Sequence, residues 1–147
     1  MREKLRFWSA LACAMAALSS LFWAANATRA EGDAIKLELN KLEPIAEGCR
    51  AYLVIENTAA AEYDSLRLDL VMFQPDGIIG RRFAVQLAPV KANKRSVKLF
   101  DLTGLTCDLV GSFLINDALE CKTAEGAVAD CLNRMQVSSR SNVQLLK

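Results

Sequence analysis

Histidine is absent from all 147 positions of the sequence. That removes the side chain used most often as a general base near neutral pH and as a metal ligand. Glycine and proline are sparse, at seven and three residues, and no G-x-x-x-x-G-K run supplies a phosphate cradle. No C-x-x-C pair occurs, so the usual redox motif with its lowered thiol pKa is missing. No sign of charge dominates either: 18 basic residues stand against 17 acidic ones. Nucleic-acid binding leaves a strongly basic footprint, and this chain carries none.

What is present begins with a leader. Arg2, Lys4 and Arg6 precede the uncharged run "FWSALACAMAALSSLFWAA", and small residues follow in "NATRAEGD". A basic start, an apolar middle and an A-x-A-like end are the parts of a secretory signal peptide. Residues 1–30 are read as that signal, with cleavage after Ala30 or, alternatively, after Ala27. The rival is an uncleaved N-terminal anchor, because Phe7 to Ala25 approaches the ~20 apolar residues that cross a bilayer. Ala10-Leu11-Ala12 is a poor lipobox for Cys13. Either way the positive end stays inside and the rest of the chain lies outside the cytoplasm. A periplasmic or secreted protein is expected, in membrane contact only if the leader is retained.

Residues 31–147 make one domain of ordinary size. The leader holds Arg2, Lys4, Arg6 and Arg29 against Glu3, so the remainder has 14 basic and 16 acidic residues and a net charge of −2. Its pattern is that of strands. In "SLRLDLVMF", Leu66, Leu68, Leu70 and Met72 share one face, opposite Arg67 and Asp69, with the period of two that marks a half-buried strand. "IKLELNKL" alternates in the same way. "QPDG" reads as a turn in which Gly77 takes a positive φ. Seven strands are predicted, A to G, over 35–42, 49–57, 65–73, 81–87, 96–101, 109–116 and 134–145, the last as one strand or a broken pair. The Ala content of "ALECKTAEGAVADCLNRM" allows a helical turn. Short strands with turn signals every 8–12 residues predict an all-β antiparallel sandwich, with a small barrel as the alternative.

Outside the cytoplasm thiols oxidise, and the domain has an even count: Cys49, Cys107, Cys121 and Cys131. In a sequential antiparallel sandwich strands B and F run the same way. Cys49 opens B and Cys107 sits just before F, at one end, while Cys121 and Cys131 fall toward the other. Pairing 49–107 with 121–131 therefore needs the least travel against the short Cα–Cα distance of a bridge. The cysteines are separated by 57, 13 and 9 residues, unlike the C-x₂₋₄-C pairs of zinc sites. No metal and no other cofactor is expected.

A basic stretch, Arg81, Arg82, Lys91, Lys94, Arg95 and Lys98, is a candidate for meeting an anionic partner. The alternative is a solvated turn whose charges keep an edge strand from pairing wrongly. Asp101, Asp108, Asp117 and Glu120 can be read as paired carboxylates for acid–base work, but carboxylates in loops are common and no nucleophile or base accompanies them. Tyr52 and Tyr63 are expected to cover core edges. Met72 and Met135 are too few for a copper-handling surface.

The segments "GCRAYLVIEN", "YDSLRLDLVMFQPDGII", "RRFAVQLAPVKANKRSVKLFDL" and "CDLVGSFLIND" resemble a group of small exported proteins of Gram-negative bacteria. These are often labelled Tat pathway signal sequence domain proteins. The middle part is similar to FxLYD-type and LEA-type Ig-like modules. The resemblance covers residues 35 to 121 and implies an Ig-like sandwich in an exported protein. The leader departs from the label, having no twin arginine. The expectation is a non-catalytic structural or interaction module with an envelope protein or cell-wall partner. A carboxylate-based envelope enzyme and a thiol–disulfide protein are the alternatives.

Overall fold

The computed structural model describes residues 35–147. The leader, both cleavage positions and Cys13 lie outside them. The described chain folds into nine strands and no α-helix: β1 (Ile35–Ile45), β2 (Gly48–Asn57), β3 (Tyr63–Phe73), β4 (Ile79–Gln86), β5 (Lys94–Thr103), β6 (Ser112–Thr123), β7 (Gly126–Ala127), β8 (Met135–Ser139) and β9 (Gln144–Leu146). Single 3-10 turns lie at Cys107–Leu109 and Cys131–Arg134. The first sheet has the order β5-β2-β1-β8. The second has the order β4-β3-β6-β7, with β9 also on β6. Their inner faces share one core, and the fold is a β-sandwich.

Period-two alternation explains how each strand is seated. In β2, Cys49, Ala51, Leu53 and Ile55 point into the core, and in β1 Ile35, Leu37 and Leu39 do so. In β3 the inward row is Leu66, Leu68, Leu70 and Met72, all essentially inaccessible. The β3–β4 hairpin turns through Gln74–Gly77. Gly77 has φ of 84°, and its amide donates to the Gln74 carbonyl at 2.9 Å. The amide of Ile78 donates to Asp76 Oδ1 at 3.0 Å, which fixes the tip. At the neighbouring turn Gly48, with φ of 153°, leaves no room for a side chain: a Cβ there would lie 2.2 Å from the Leu102 carbonyl oxygen. The close approach of β2 to the end of β5 depends on that missing atom.

Two features differ from the sequence reading, and one alternative left open by it is decided. The sheets are mixed, not purely antiparallel: β8 runs parallel to β1 and β9 parallel to β6. The reason is the Cys131–Arg134 turn, which delivers the chain beside the start of β1, with Ile35 opposite Met135. The last segment is the broken pair, because the chain leaves the first sheet after Ser139 and joins the second at Gln144. The strand expected at 109–116 begins at Ser112 and continues to Thr123, so Cys121 lies within it and not in a loop. Residues 118–121 are thus strand, and within the segment 118–135 helical geometry is confined to the 3-10 turn Cys131–Arg134.

Cys49 is bonded to Cys107 and Cys121 to Cys131, with Cα–Cα distances of 5.0 and 6.4 Å. Cys107 lies on the passage from β5 to β6, from the first sheet to the second, and is tied back to β2. Cys131 lies on the passage toward β8, from the second sheet to the first, and is tied back to β6. Each of these two crossings between layers is pinned to the sheet it has just left. Bridges of this kind mark an oxidising, extracytoplasmic compartment. Among the described residues no helix is long and apolar enough to cross a membrane.

Candidate interaction surface

β4 and β5 are the edge strands on one side of the sandwich, one from each sheet. Phe83 of β4 meets Phe100 of β5 at 5.5 Å between ring centroids, and Phe113 of β6 packs edge-on against both. The Arg81 guanidinium crosses the same seam and donates to the Thr103 carbonyl at 3.1 Å. An aromatic trio therefore closes the core on this side, and Arg81 bridges the two edge strands beside it.

The six basic residues singled out in the sequence are divided by the fold. Arg82 points to the outer face of the second sheet. There it holds Asp69 with two guanidinium nitrogens, at 2.8 to 3.1 Å. Asn116 donates to the same carboxylate at 2.7 Å. Asp69 is only 4% exposed although it lies on the solvent side of the sheet. The hydrogen bonds from Arg82 and then from Asn116 hold its carboxyl below the ordinary value of 3.8. Lys91 pairs with Glu62 at 2.6 Å, and Arg95 reaches Glu38, a carboxylate also bound by Asn40 and Arg140. The other three cations, Arg81, Lys94 and Lys98, have no carboxylate partner among the described residues.

Those three share a property that the sequence does not display. Antiparallel partners directly opposite one another point to the same face of a sheet. Lys98 stands opposite Leu53 and Lys94 opposite Asn57, both buried partners on the core side. Arg81 stands opposite Met72, also on the core side. All three are core-directed positions of edge strands. Charges so placed oppose the addition of an apolar strand, because they would be carried into the extended core.

The outer positions of β5 are different. Val97 and Leu99 are 57% and 53% exposed, opposite Val54 and Tyr52 of β2. Charged pairs surround this apolar strip. Arg50 grips Asp101 through two nitrogens, at 2.7 and 2.8 Å. Lys41 sits 4.4 Å above the Tyr52 ring, whose hydroxyl donates to Glu43. Glu38 lies within reach of Arg95 and Arg140. The apolar strip lies on the outer face of an edge strand with one free side.

The remaining candidates separate. Asp101 is on the outer face of the first sheet, bound to Arg50. Asp117 and Glu120 stand opposite Asp69 and Arg67 on the outer face of the second, and Glu120 accepts a hydrogen bond from Ser65 at 2.6 Å. Asp108 occupies the turn at Cys107. Asp117 and Glu120 line a common cavity, but the four carboxylates do not converge on one site, and no group of three or more metal-binding side chains occurs among the described residues. Tyr63, Met72 and Met135 are buried in the core, while Tyr52 lies on the outer face. Comparisons with family models, with curated proteins and with solved structures found no match.

Val97 and Leu99 were missed as surface residues, as was the burial of Asp69. In "KRSVKLFDLT" apolar residues occupy both 97 and 99 and both 100 and 102, so alternation alone permits either phase. Phe100 and Leu102 decide it, because they register against Ala51 and Cys49 in the core. For Asp69 a signal existed: Arg82 and Asn116 are the right types, but only the register brings them together.

Proposed function

We infer that this chain is a non-catalytic interaction module of the periplasm or cell exterior, holding an envelope protein or cell-wall partner. The observation that carries the reading is the free edge strand β5, with Val97 and Leu99 turned to solvent amid charged pairs. An apolar centre with a polar rim is the usual anatomy of a protein-binding site, and small sandwiches bind through loops and edges. Asp101 and Asp108 lie apart from Asp117 and Glu120, which share the outer face of the second sheet, so the four carboxylates do not form one acid–base site. Three of the four bridged cysteines are buried, which suits structural staples better than exchange with a substrate thiol. The leader and the resemblance to exported proteins support the envelope location.

The test is site-directed photocrosslinking in intact cells. A photoreactive residue at position 97 should give one discrete adduct, whereas the same residue at position 119, on β6, should give none. Absence of an adduct at 97, or equal adducts at both positions, would remove the reading.

A further inference from the structure

Two features of β5 together describe what could join it, an inference that rests on the interaction-module reading. On the core side the strand carries Lys94 and Lys98, with no carboxylate partner among the described residues. On the outer side it carries the exposed Val97 and Leu99. β5 is ten residues long and, among the described residues, pairs only with β2 and presents its other edge without a strand. An incoming strand would set its own side chains beside these four, alternating from face to face. We propose that β5 takes an extended segment of a partner protein as an added strand, with acidic residues at alternate positions and aliphatic residues between them.

The physical argument lies in how each alternative is rejected. An ordinary apolar strand would draw Lys94 and Lys98 under cover without a counter-charge, which is costly. A second copy of β5 would bring lysine toward lysine on the core side, and like charges opposite one another destabilise a pair. A strand with carboxylates at the core-directed positions neutralises both lysines. Its other face then covers Val97 and Leu99. The charges that protect the edge from promiscuous pairing become the element that selects a partner.

Two free edges of the second sheet are less suited. β4 carries Arg81 on its core side, already engaged with Thr103. The stretch of β6 between β9 and β7 is kinked by register shifts at Asn116 and Leu119, and bulges turn an edge away from pairing.

The experiment uses the chain as it is produced in cells and peptides of about seven residues, the length of an ordinary strand. One alternates Glu and Val, one alternates Lys and Val, and one is all Glu. Amide hydrogen exchange is followed residue by residue. The expected result is added protection confined to β5 with the Glu–Val peptide. In the double variant Lys94→Glu, Lys98→Glu, affinity for that peptide should fall about tenfold or more, and the Lys–Val peptide should bind in its place. Val97→Ser with Leu99→Ser should weaken the Glu–Val peptide while leaving the charge preference unchanged. Protection elsewhere, no protection at all, equal binding of the all-Glu peptide, or indifference to charge reversal would each overturn the proposal. A crosslinked partner at position 97 without peptide-induced protection of β5 would leave the interaction module standing and remove strand addition alone.

Discussion

β3 and β5 are strands of similar length, eleven and ten residues, yet the fold treats them in opposite ways. β3 is central in its sheet, flanked by β4 and β6. It buries its inward row, Leu66 to Met72, and also Asp69 and Val71 on its outer face. β5 is flanked on one side only, and its one fully covered side chain is Leu102. A residue's contribution therefore follows from the neighbours that the topology supplies and less from its hydrophobicity. β3 holds the second sheet to the core. β5 is held in place by its ladder with β2 and by the Cys49–Cys107 bridge just beyond its end, and most of its side chains stay at least partly exposed.

The largest test of that contrast is a pair of leucine truncations. Leu68→Ala in β3 should destabilise by about 2–5 kcal/mol, the cost of removing a well-packed side chain. Leu99→Ala in β5 should change stability by no more than about 0.5 kcal/mol. Denaturant titration of both variants measures the difference, and equal costs would mean that something covers β5 in the free protein.

Next comes the pinning of β5. Replacing Cys49 and Cys107 by alanine should cost ~4 kcal/mol by the chain-entropy relation, against ~3 for Cys121 and Cys131, because the first bridge closes the longer loop. The sequence separations are 58 and 10. Hydrogen exchange should show the loss of the first bridge most strongly in β5 and least in β3.

A third test concerns Asp69 and its protonation. The folded carboxyl lies below 3.8 because Arg82 and Asn116 donate to its charged form, so it contributes stability above the unfolded value. That contribution is lost as pH falls through the lower folded value. Asp69→Asn should lower the unfolding midpoint at pH 7 and flatten the loss of stability below pH 4. Asp101→Asn removes an exposed pair and should do less at both pH values. Parallel acid limbs for wild type and Asp69→Asn would show that Asp69 is not the titrating group.

The smallest expected effect is on the outer face of β3 itself. Arg67→Ala should cost under about 0.5 kcal/mol, since Arg67 is half exposed and its contact with Glu120 is 3.9 Å long. With Leu68→Ala as its neighbour, that contrast confirms which face of β3 is inward.

Where the sequence was legible, a local pattern carried the answer. The row Leu66, Leu68, Leu70 and Met72, the Pro-Asp-Gly turn and the opening of β2 within one residue of Cys49 follow from alternation and turn chemistry alone. The start of β6 was misplaced because Leu109 and Val110 look like strand residues, although the Cys107 bridge and a 3-10 turn hold that stretch. The six-residue basic stretch looked like one patch only because sequence distance was read as spatial distance. Arg82 and Lys98 belong to different sheets, and Arg82 is taken up by Asp69.

By itself the sequence determined a bridged all-β domain, through hydrophobic period, turn residues and an even set of cysteines. Those are properties of residues close along the chain or of composition. Only the tertiary structure decided which strands are edges, which phase β5 adopts and which cations keep a free charge. The parallel seating of β8 and β9 was likewise settled by the packing. Each of these is set by pairing between residues tens of positions apart, such as Cys49 with Leu102 and Asp69 with Ala84 and Asp117. A strand's alternation names two faces, and only its neighbours say which of them meets water.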